Sequence, residues 1–234
     1  MAILGDVKPS GHSFTPTERR LIKRLRTPHA VQLFLNRLPY NTEPNGDTLR
    51  SFRQVVRHKT AHCLEGALFA ACVLEQHGYP PLLLGLESVD LLDHVIFVYR
   101  HRGRWGSVAR SRDPGLHGRK PVFRSPRALA LSYCDPYIDY TGRVKGYSVV
   151  DLNEAMGSYD WRFSKRNVWA VENMLLKVKQ LPVRRSLKRQ PRAQALSGAH
   201  GQIQKEAAVL SRPREVEADP EAFFVTEQAQ AVLD

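Results

Sequence analysis

The feature of the sequence that most limits the possible folds is the apolar segment CLEGALFAACVLEQH, residues 63–77. Its apolar side chains would lie on nearly every side of a helix, and Gly78 followed by Pro80 and Pro81 would end that helix. A helix that is apolar all round is stable only where other elements cover it. The segment therefore predicts a central helix that is buried by the rest of the fold.

Short segments rich in β-forming residues follow this helix. Residues 82–86 and 94–99 predict two strands, and residues 104–111 predict a third strand after an Arg-Gly turn. Residues 147–150 predict a fourth. We expect these strands to form an antiparallel sheet against the buried helix, so the fold class expected from the sequence is α+β.

Helices are also predicted on both sides of this core. Thr15 is placed to cap the first helix, with Pro16 at its first position and Glu18 closing a capping box. Four other serines and threonines mark helix starts: Thr27, Thr48, Ser125 and Ser164. Residues 1–59 are therefore interpreted as an N-terminal helical part of the domain, and residues 60–181 as its core with a closing helix.

The chain is basic, and one basic stretch lies after the predicted core. The formal charge of the 234 residues is +12, from 35 basic and 23 acidic side chains, and this value invites a nucleic-acid interpretation. Much of the excess lies in eight basic residues between Arg184 and Arg214, a stretch with little apolar content from which to build a core. We expect residues 182–234 to be a disordered tail that makes only nonspecific contact with nucleic acid.

The cysteine count bears on where the protein works. Three cysteines is an odd number, and the N-terminal residues lack the apolar core of a secretory signal. Both observations favour free thiols in a reducing cytoplasm over a disulfide framework. Because no apolar run approaches membrane-spanning length, no membrane partner is expected.

Cys63 and His94 are the candidate catalytic pair. Cys63 falls at the first turn of the buried helix, where unpaired N–H groups and the helix dipole stabilise a thiolate. His94 opens a strand that should lie over this helix start, so it is placed to accept the proton and return it. His62 is expected to point elsewhere around the helix turn. Cys72 is expected to be an apolar core residue, and Cys134 to have no chemical role.

A third group would hold the His94 ring in the right tautomer. Asp113, at the end of the third strand, is the first choice for this group. Asp151, after the fourth strand, is the second, and Ser111 or a backbone carbonyl is the third. The backbone N–H of Cys63 would add to an oxyanion hole.

A metal interpretation starts from His58 and His62, which are spaced like two ligands on one helical face, with Cys63 adjacent. It lacks a third and a fourth ligand at a diagnostic spacing, and the sequence has no nucleotide-binding fingerprint. We therefore expect neither a metal nor another cofactor.

Three segments, AHCLEGALFAACVLEQHGYPPLLLGL, DHVIFVYR and GRWGSVARS, resemble the core of the transglutaminase-like superfamily, which has a papain-like α+β fold. The resemblance covers roughly residues 60–152. In that family a cysteine starts the core helix, a histidine lies on the following strand, and an aspartate lies on the strand after it. By position, the resemblance implies that these residues are Cys63, His94 and Asp113.

The sequence departs from the family pattern at one position. The family acid usually lies about four residues beyond the strand tryptophan, and that position, counted from Trp105, is Ala109. Either the acid has moved to Asp113 or Asp151, or the site works as a dyad, or it has lost activity. The resemblance implies cysteine-dependent acyl transfer or hydrolysis of an amide bond, on a peptide, protein or other amide-containing substrate. The alternative is a catalytically inactive module of the same fold that binds protein.

Overall fold

The computed structural model of the chain describes residues 13–88, 94–134 and 144–183. The helices in these ranges are α1 (Pro16–Arg24), α2 (Pro28–Arg37), α3 (Phe52–His58), α4 (Cys63–Glu75), α5 (Pro126–Cys134), α6 (Leu152–Met156) and α7 (Trp169–Lys177). The strands are β1 (Leu82–Ser88), β2 (His94–His101), β3 (Arg104–Val108), β4 (Val144–Asp151) and β5 (Leu181–Pro182). A 3-10 turn, Pro114–Leu116, follows β3.

The strands in these ranges form one antiparallel sheet in the order β3-β2-β1-β4-β5. Leu86, near one end of the central strand β1, pairs with His94 of β2. Leu82, at the other end of β1, pairs with Asp151 of β4. His94 and Asp151 therefore lie toward opposite ends of the sheet. The expected α+β class and the antiparallel sheet are confirmed.

The buried helix that the apolar segment predicts is α4. Its residues 64–74 are all buried, and α2, α3 and β2 pack against it. Gly66 lets the segment after β3 approach closely, because a Cβ at this position would lie 2.7 Å from the Cβ of Arg110. The helix is therefore held between the N-terminal helices and the sheet, while its first residue, Cys63, is only half-buried.

Three of the predicted helix starts are confirmed. Thr15, Thr27 and Ser125 each accept a hydrogen bond from a backbone N–H in the first turn of α1, α2 and α5. Glu18 also closes the predicted capping box, because its carboxylate accepts the backbone N–H of Thr15 at 2.7 Å. These helices begin where a side-chain oxygen satisfies an N–H group that has no partner inside the helix.

Two predicted helix starts are wrong. Ser51 caps α3, because Thr48 Oγ1 instead donates to the carboxylate of Glu65 at 3.0 Å. α7 begins at Trp169, and the hydroxyl of Ser164 instead donates to a backbone carbonyl two residues along the chain at 2.8 Å. In both cases another side-chain hydrogen bond takes the place of the expected cap.

The last described residues join the sheet through β5. Leu181 pairs with Tyr147 of β4, and the buried Val183 donates its N–H to the carbonyl of Lys145 at 3.0 Å. Residues 184–234 lie outside the described residues, so the disordered tail stays a prediction, as do the boundaries at residues 60 and 182. Within the described ranges, no helix combines the length and the apolar character needed to cross a bilayer.

Candidate active site

The thiol of Cys63 lies at the start of α4 and lines a cavity. Cys63 is the first residue of the helix and is half-buried. The cavity has a volume of about 380 Å³, and His62 and Tyr40 also line it. The N–H groups of a first helical turn have no partner inside the helix, and they favour negative charge beside them. The thiol therefore borders a cavity and lies in a local field that stabilises its ionised form.

His94 is the first residue of β2 and has only 4% of its surface exposed. One ring nitrogen, Nε2, lies 3.0 Å from the carbonyl oxygen of Leu116. Because a carbonyl only accepts, Nε2 carries a proton in this contact, and Nδ1 is left for another partner. The ring also hydrogen bonds the side chain of Cys63. The structure thus brings together the two residues that the sequence indicates as nucleophile and base.

His62 also hydrogen bonds the Cys63 side chain, so the expectation that it points elsewhere is wrong. His62 is the N-cap of α4 and has an extended backbone, with φ −89° and ψ −174°. The angular spacing of helical residues does not apply to such a residue, because it lies outside the helical turn. Its Nε2 donates to the carbonyl of Thr48 at 3.0 Å, which leaves Nδ1 for the sulfur.

Glu65 is a fully buried carboxylate beside His62. It accepts hydrogen bonds from the backbone N–H groups of His62 and Arg50, both at 3.0 Å. The side chains of Asn41 and Thr48 donate to it as well, each at 3.0 Å. Its Oε1 lies 3.6 Å from Nε2 of His62. A buried charge is stable only where such partners replace its lost hydration, so Glu65 is a fixed negative charge next to this imidazole.

Burial, hydrogen bonding and charge together set the ionisation of Cys63 and His62. Burial raises the pKa of Cys63, but the hydrogen bonds and positive charges of His62 and His94 lower it more, to about 5. Burial lowers the pKa of His62, but the hydrogen bond and charge of Cys63 and the charge of Glu65 raise it to about 9. Between these pH values the two side chains form a thiolate and an imidazolium.

Asp113 caps the turn that holds His94. It is the N-cap of the 3-10 turn Pro114–Leu116, and its Oδ1 accepts the N–H of Gly115 at 2.7 Å. The carbonyl that binds His94 belongs to Leu116, the last residue of this turn. The structure therefore gives His94 a backbone carbonyl as a partner, which is the third choice from the sequence, and it places Asp113 at the start of the same turn.

Asp151 lies away from this arrangement. It is the N-cap of α6, and its Oδ1 accepts the N–H of Asn153 at 2.8 Å. Asp151 pairs with Leu82, whereas His94 pairs with Leu86. Four positions along a strand correspond to about 13 Å. The second choice for the orienting acid is therefore separated from the imidazole by most of the length of β1.

The remaining positions considered for the third group have other partners. Ala109, the position that corresponds to the acid of the superfamily that the sequence resembles, is buried. Its N–H donates to the Gln32 side chain at 2.9 Å, and its carbonyl accepts from the same side chain at 2.8 Å. The hydroxyl of Ser111 accepts the backbone N–H of Asp113 at 3.1 Å. The role of Asp113 as an orienting acid accordingly stays a prediction.

The other two cysteines are buried. Burial raises the pKa of Cys72 well above the usual range of a thiol, and Cys72 lies in the core as the sequence predicts. Cys134 donates its S–H to the carbonyl of Ala130 at 3.8 Å. Cys63 is therefore distinguished from both by its position at a cavity and by its low pKa.

Two residues of the site were not singled out by the sequence analysis. Burial and the negative charge of Cys63 raise the pKa of Tyr40 to about 12, so its hydroxyl is a neutral donor at the cavity wall. The guanidinium groups of Arg110 and Arg112 lie 5.4 Å from the centre of its ring. No sequence pattern marks Tyr40. Glu65 does have a signal, because it is the carboxylate at the third position of an otherwise apolar helix, where a capping box places one.

The described ranges contain no group of three or more His, Cys, Asp or Glu side chains arranged to hold a metal ion. His58, which the metal interpretation paired with His62, is exposed at the end of α3. Comparison with known proteins yields no family model that matches the chain and no significant match to a curated protein.

Proposed function

We propose that this protein is a cysteine-dependent enzyme of transglutaminase-like type, which transfers an acyl group from an amide to an amine or to water. The observation that carries the proposal is that two imidazoles, of His62 and His94, hydrogen bond the thiol of Cys63 at the wall of a cavity. With a pKa of about 5 this thiol is ionised at neutral pH, and the thiolate is the nucleophilic form.

The proposed reaction has two steps, acylation and deacylation of Cys63, with a thioester as the intermediate between them. It begins with Cys63 as the thiolate and His94 carrying a proton. The sulfur attacks the amide carbonyl carbon, the C–N bond breaks as the tetrahedral intermediate collapses, and the amine leaves with the proton from His94. An amine or a water molecule then attacks the thioester while His94 takes its proton. The C–S bond breaks, the product leaves, and the thiolate is restored.

The two histidines have different tasks in this scheme. His62 is held between the Thr48 carbonyl and the Glu65 carboxylate, so it remains a cation that stabilises the thiolate. His94 has a neutral carbonyl as its second partner, so no carboxylate at this nitrogen holds it as a permanent cation, and we assign the proton transfers to it. Asp113 acts on His94 through the turn that it caps.

The oxygen that becomes negative in the tetrahedral intermediate requires hydrogen-bond donors. The backbone N–H of Cys63 belongs to the first turn of α4, where N–H groups have no helical acceptor. The hydroxyl of Tyr40 lines the same cavity. We assign these two groups to the oxyanion hole. No metal is required for these steps, since the charge is stabilised by donors of the chain itself.

A second candidate function is a non-catalytic module that binds protein. One observation favours it: the partner of His94 is a carbonyl and not a carboxylate, and the position at which family members have their acid is the buried Ala109. The low pKa of Cys63 favours the enzyme, because a binding module has no need of an ionised thiol.

Acylation by p-nitrophenyl acetate tests the proposal without knowledge of the natural substrate. We expect mass spectrometry to find one acetyl group on Cys63, which water releases slowly and an added primary amine releases faster. His94→Gln should slow both steps. Cys63→Ala should abolish acetylation, and Cys134→Ala, the matched thiol control, should leave it unchanged. If Cys63→Ala releases nitrophenol as fast as the wild type, the enzyme proposal fails and the binding module is favoured.

A further inference from the structure

The cavity at Cys63 is lined by acidic side chains although the chain as a whole is basic. The carboxylates in its lining are Glu43, Asp47, Glu87 and Glu172. No Lys or Arg is among the described residues that line it, whereas the whole chain has 35 Lys and Arg against 23 Asp and Glu. The positive charge of His62 is offset by the thiolate of Cys63 and by Glu65. The cavity therefore presents a net negative charge to a ligand.

Neighbouring cations neutralise only part of this charge. Glu87 pairs with Lys145 at 2.8 Å, but both side chains are partly exposed, and such pairs are weak in water. Glu43 lies 3.9 Å from Nε2 of His62, but this imidazolium also faces the thiolate of Cys63 and the carboxylate of Glu65. The backbone N–H that Glu43 accepts at 2.7 Å adds no net charge. Asp47 and Glu172 are exposed and form no ion pair with any residue that the structure describes.

Two further residues of the cavity wall suit a cation that carries N–H groups. Gln180 lines the cavity, and its Nε2 donates to the hydroxyl of Ser148 at 3.2 Å, so a neutral polar side chain adjoins the carboxylates. Trp169, which is half-buried, adds an aromatic ring on which a cation can rest.

We propose that this cavity selects a substrate that carries an ammonium or guanidinium group close to the amide attacked by Cys63. The inference rests on the proposed function and names the substrate class of the same site. A cationic group is attracted by the carboxylates and by the ring of Trp169 together. An anionic substrate meets the same carboxylates as a like charge, which disfavours it.

Charged thiol reagents test the sign of the cavity directly. The probes are the cationic aminoethyl, the anionic sulfonatoethyl and the neutral methyl methanethiosulfonates. In each case the Cys63 thiolate attacks the sulfenyl sulfur, a mixed disulfide forms, and methanesulfinate leaves. Each rate is divided by that of free mercaptoethanol with the same reagent. We expect the normalised ratio of the cationic to the anionic rate to be about tenfold or more at low salt and to fall toward one at high salt.

Two matched variants show which carboxylates are responsible. Glu172→Gln should reduce the normalised ratio severalfold, because Glu172 is an exposed carboxylate of the cavity lining. Glu154→Gln should leave it unchanged, because Glu154 is equally exposed but lies on α6, outside this lining. If Glu172→Gln does not fold, the salt dependence of the wild type decides the question.

The neutral reagent separates this inference from the proposed function. If it reacts quickly with Cys63 while the normalised ratio stays near one at every salt concentration, the cationic substrate is excluded and the proposed enzyme remains. If it reacts with Cys63 no faster than with mercaptoethanol at neutral pH, the nucleophile assignment fails, and the substrate class fails with it.

Discussion

The sulfur of Cys63 receives hydrogen bonds from two imidazoles, and both lower its pKa, which is about 5. The thiolate fraction is then close to one at neutral pH and falls only as the pH drops through 5. We therefore expect the rate of alkylation by iodoacetamide to be nearly constant from about pH 6 to about pH 8, whereas an ordinary thiol gains about tenfold per pH unit there. Mass spectrometry of the Cys63 peptide measures this rate. A tenfold rise per unit through neutral pH would contradict the thiolate.

The substitution His62→Gln separates the contribution of this residue from that of His94. We expect it to raise the pKa of Cys63 by about one to three units, because it removes a hydrogen bond and a positive charge beside the sulfur. The midpoint of the alkylation profile should move to higher pH by the same amount. His58→Gln, at an exposed histidine on α3, is the control. An unchanged midpoint in His62→Gln would show that His94 ionises the thiol by itself.

A site residue can be predicted from the sequence when its side chain carries the chemistry and when it stands at a recognisable position, such as the start of a helix or strand. Cys63 is such a residue because it starts an apolar helix, and His94 because it starts a strand. The carbonyl of Leu116 has no such signal, since every residue has a carbonyl. His62 was misplaced because an angular rule for helices was applied to a residue with an extended backbone.

The 3-10 turn Pro114–Leu116 is the element that holds the ring of His94, and Asp113 is its cap. We expect Asp113→Ala to slow acetylation of Cys63 severalfold, since the loss of a cap costs about 1 kcal/mol and loosens the carbonyl that binds His94. Asp113→Asn should stay close to the wild type, because an amide oxygen caps as well as a carboxylate does. Nitrophenol release, with melting temperatures alongside, measures both variants.

The opposite ranking would change the role of Asp113. A fall of several orders of magnitude in Asp113→Asn, with an unchanged melting temperature, would make its carboxylate the orienting acid of a triad. Asp151→Asn is the control, because this aspartate caps α6 toward the other end of the sheet.

Helices and strands can be predicted from the sequence where burial determines the positions of their apolar residues. The helix α4 and the strands β1 and β2 could be predicted because their apolar residues follow from the surfaces that they bury. Thr48 resembled a cap by residue type, but its hydroxyl binds Glu65, which is 17 positions away. Helix-capping preference depends on residues that are close along the chain. It therefore does not reveal a hydrogen bond to a side chain far away in the sequence.

At the scale of the whole molecule, Val183 is the last described residue, and its N–H is hydrogen bonded to the carbonyl of Lys145. A truncation after Arg184 should therefore leave the melting temperature of the full chain unchanged. A truncation after Gln180 removes β5 and the buried Val183. Burial of such a side chain contributes about 1–2 kcal/mol, so the melting temperature should fall by about 2–8 °C. Circular dichroism during heating measures both chains. A large fall on the first truncation would show that residues 185–234 stabilise the domain.

Net charge is a property of the whole molecule that composition gives directly. The value of +12 predicts weak, salt-sensitive binding to polyanions. The net charge does not predict the acidic lining of the cavity, because it does not say where in the fold each charged side chain lies. That lining combines residues from three separate parts of the fold, such as Glu43, Glu87 and Glu172.

One of the two imidazoles that ionise Cys63 is adjacent to it in the chain, since His62 precedes it, and Glu65, whose charge raises the pKa of His62, follows two positions later. A contact between such neighbours closes no long loop, so it costs little chain entropy. The contact with His94 spans 31 positions and depends on an intact sheet. Partial unfolding should therefore remove the base before it removes the thiolate. In dilute denaturant the protein should lose acyl transfer while iodoacetamide still alkylates Cys63 quickly. A reactive thiolate would then remain in a protein that no longer has catalytic activity.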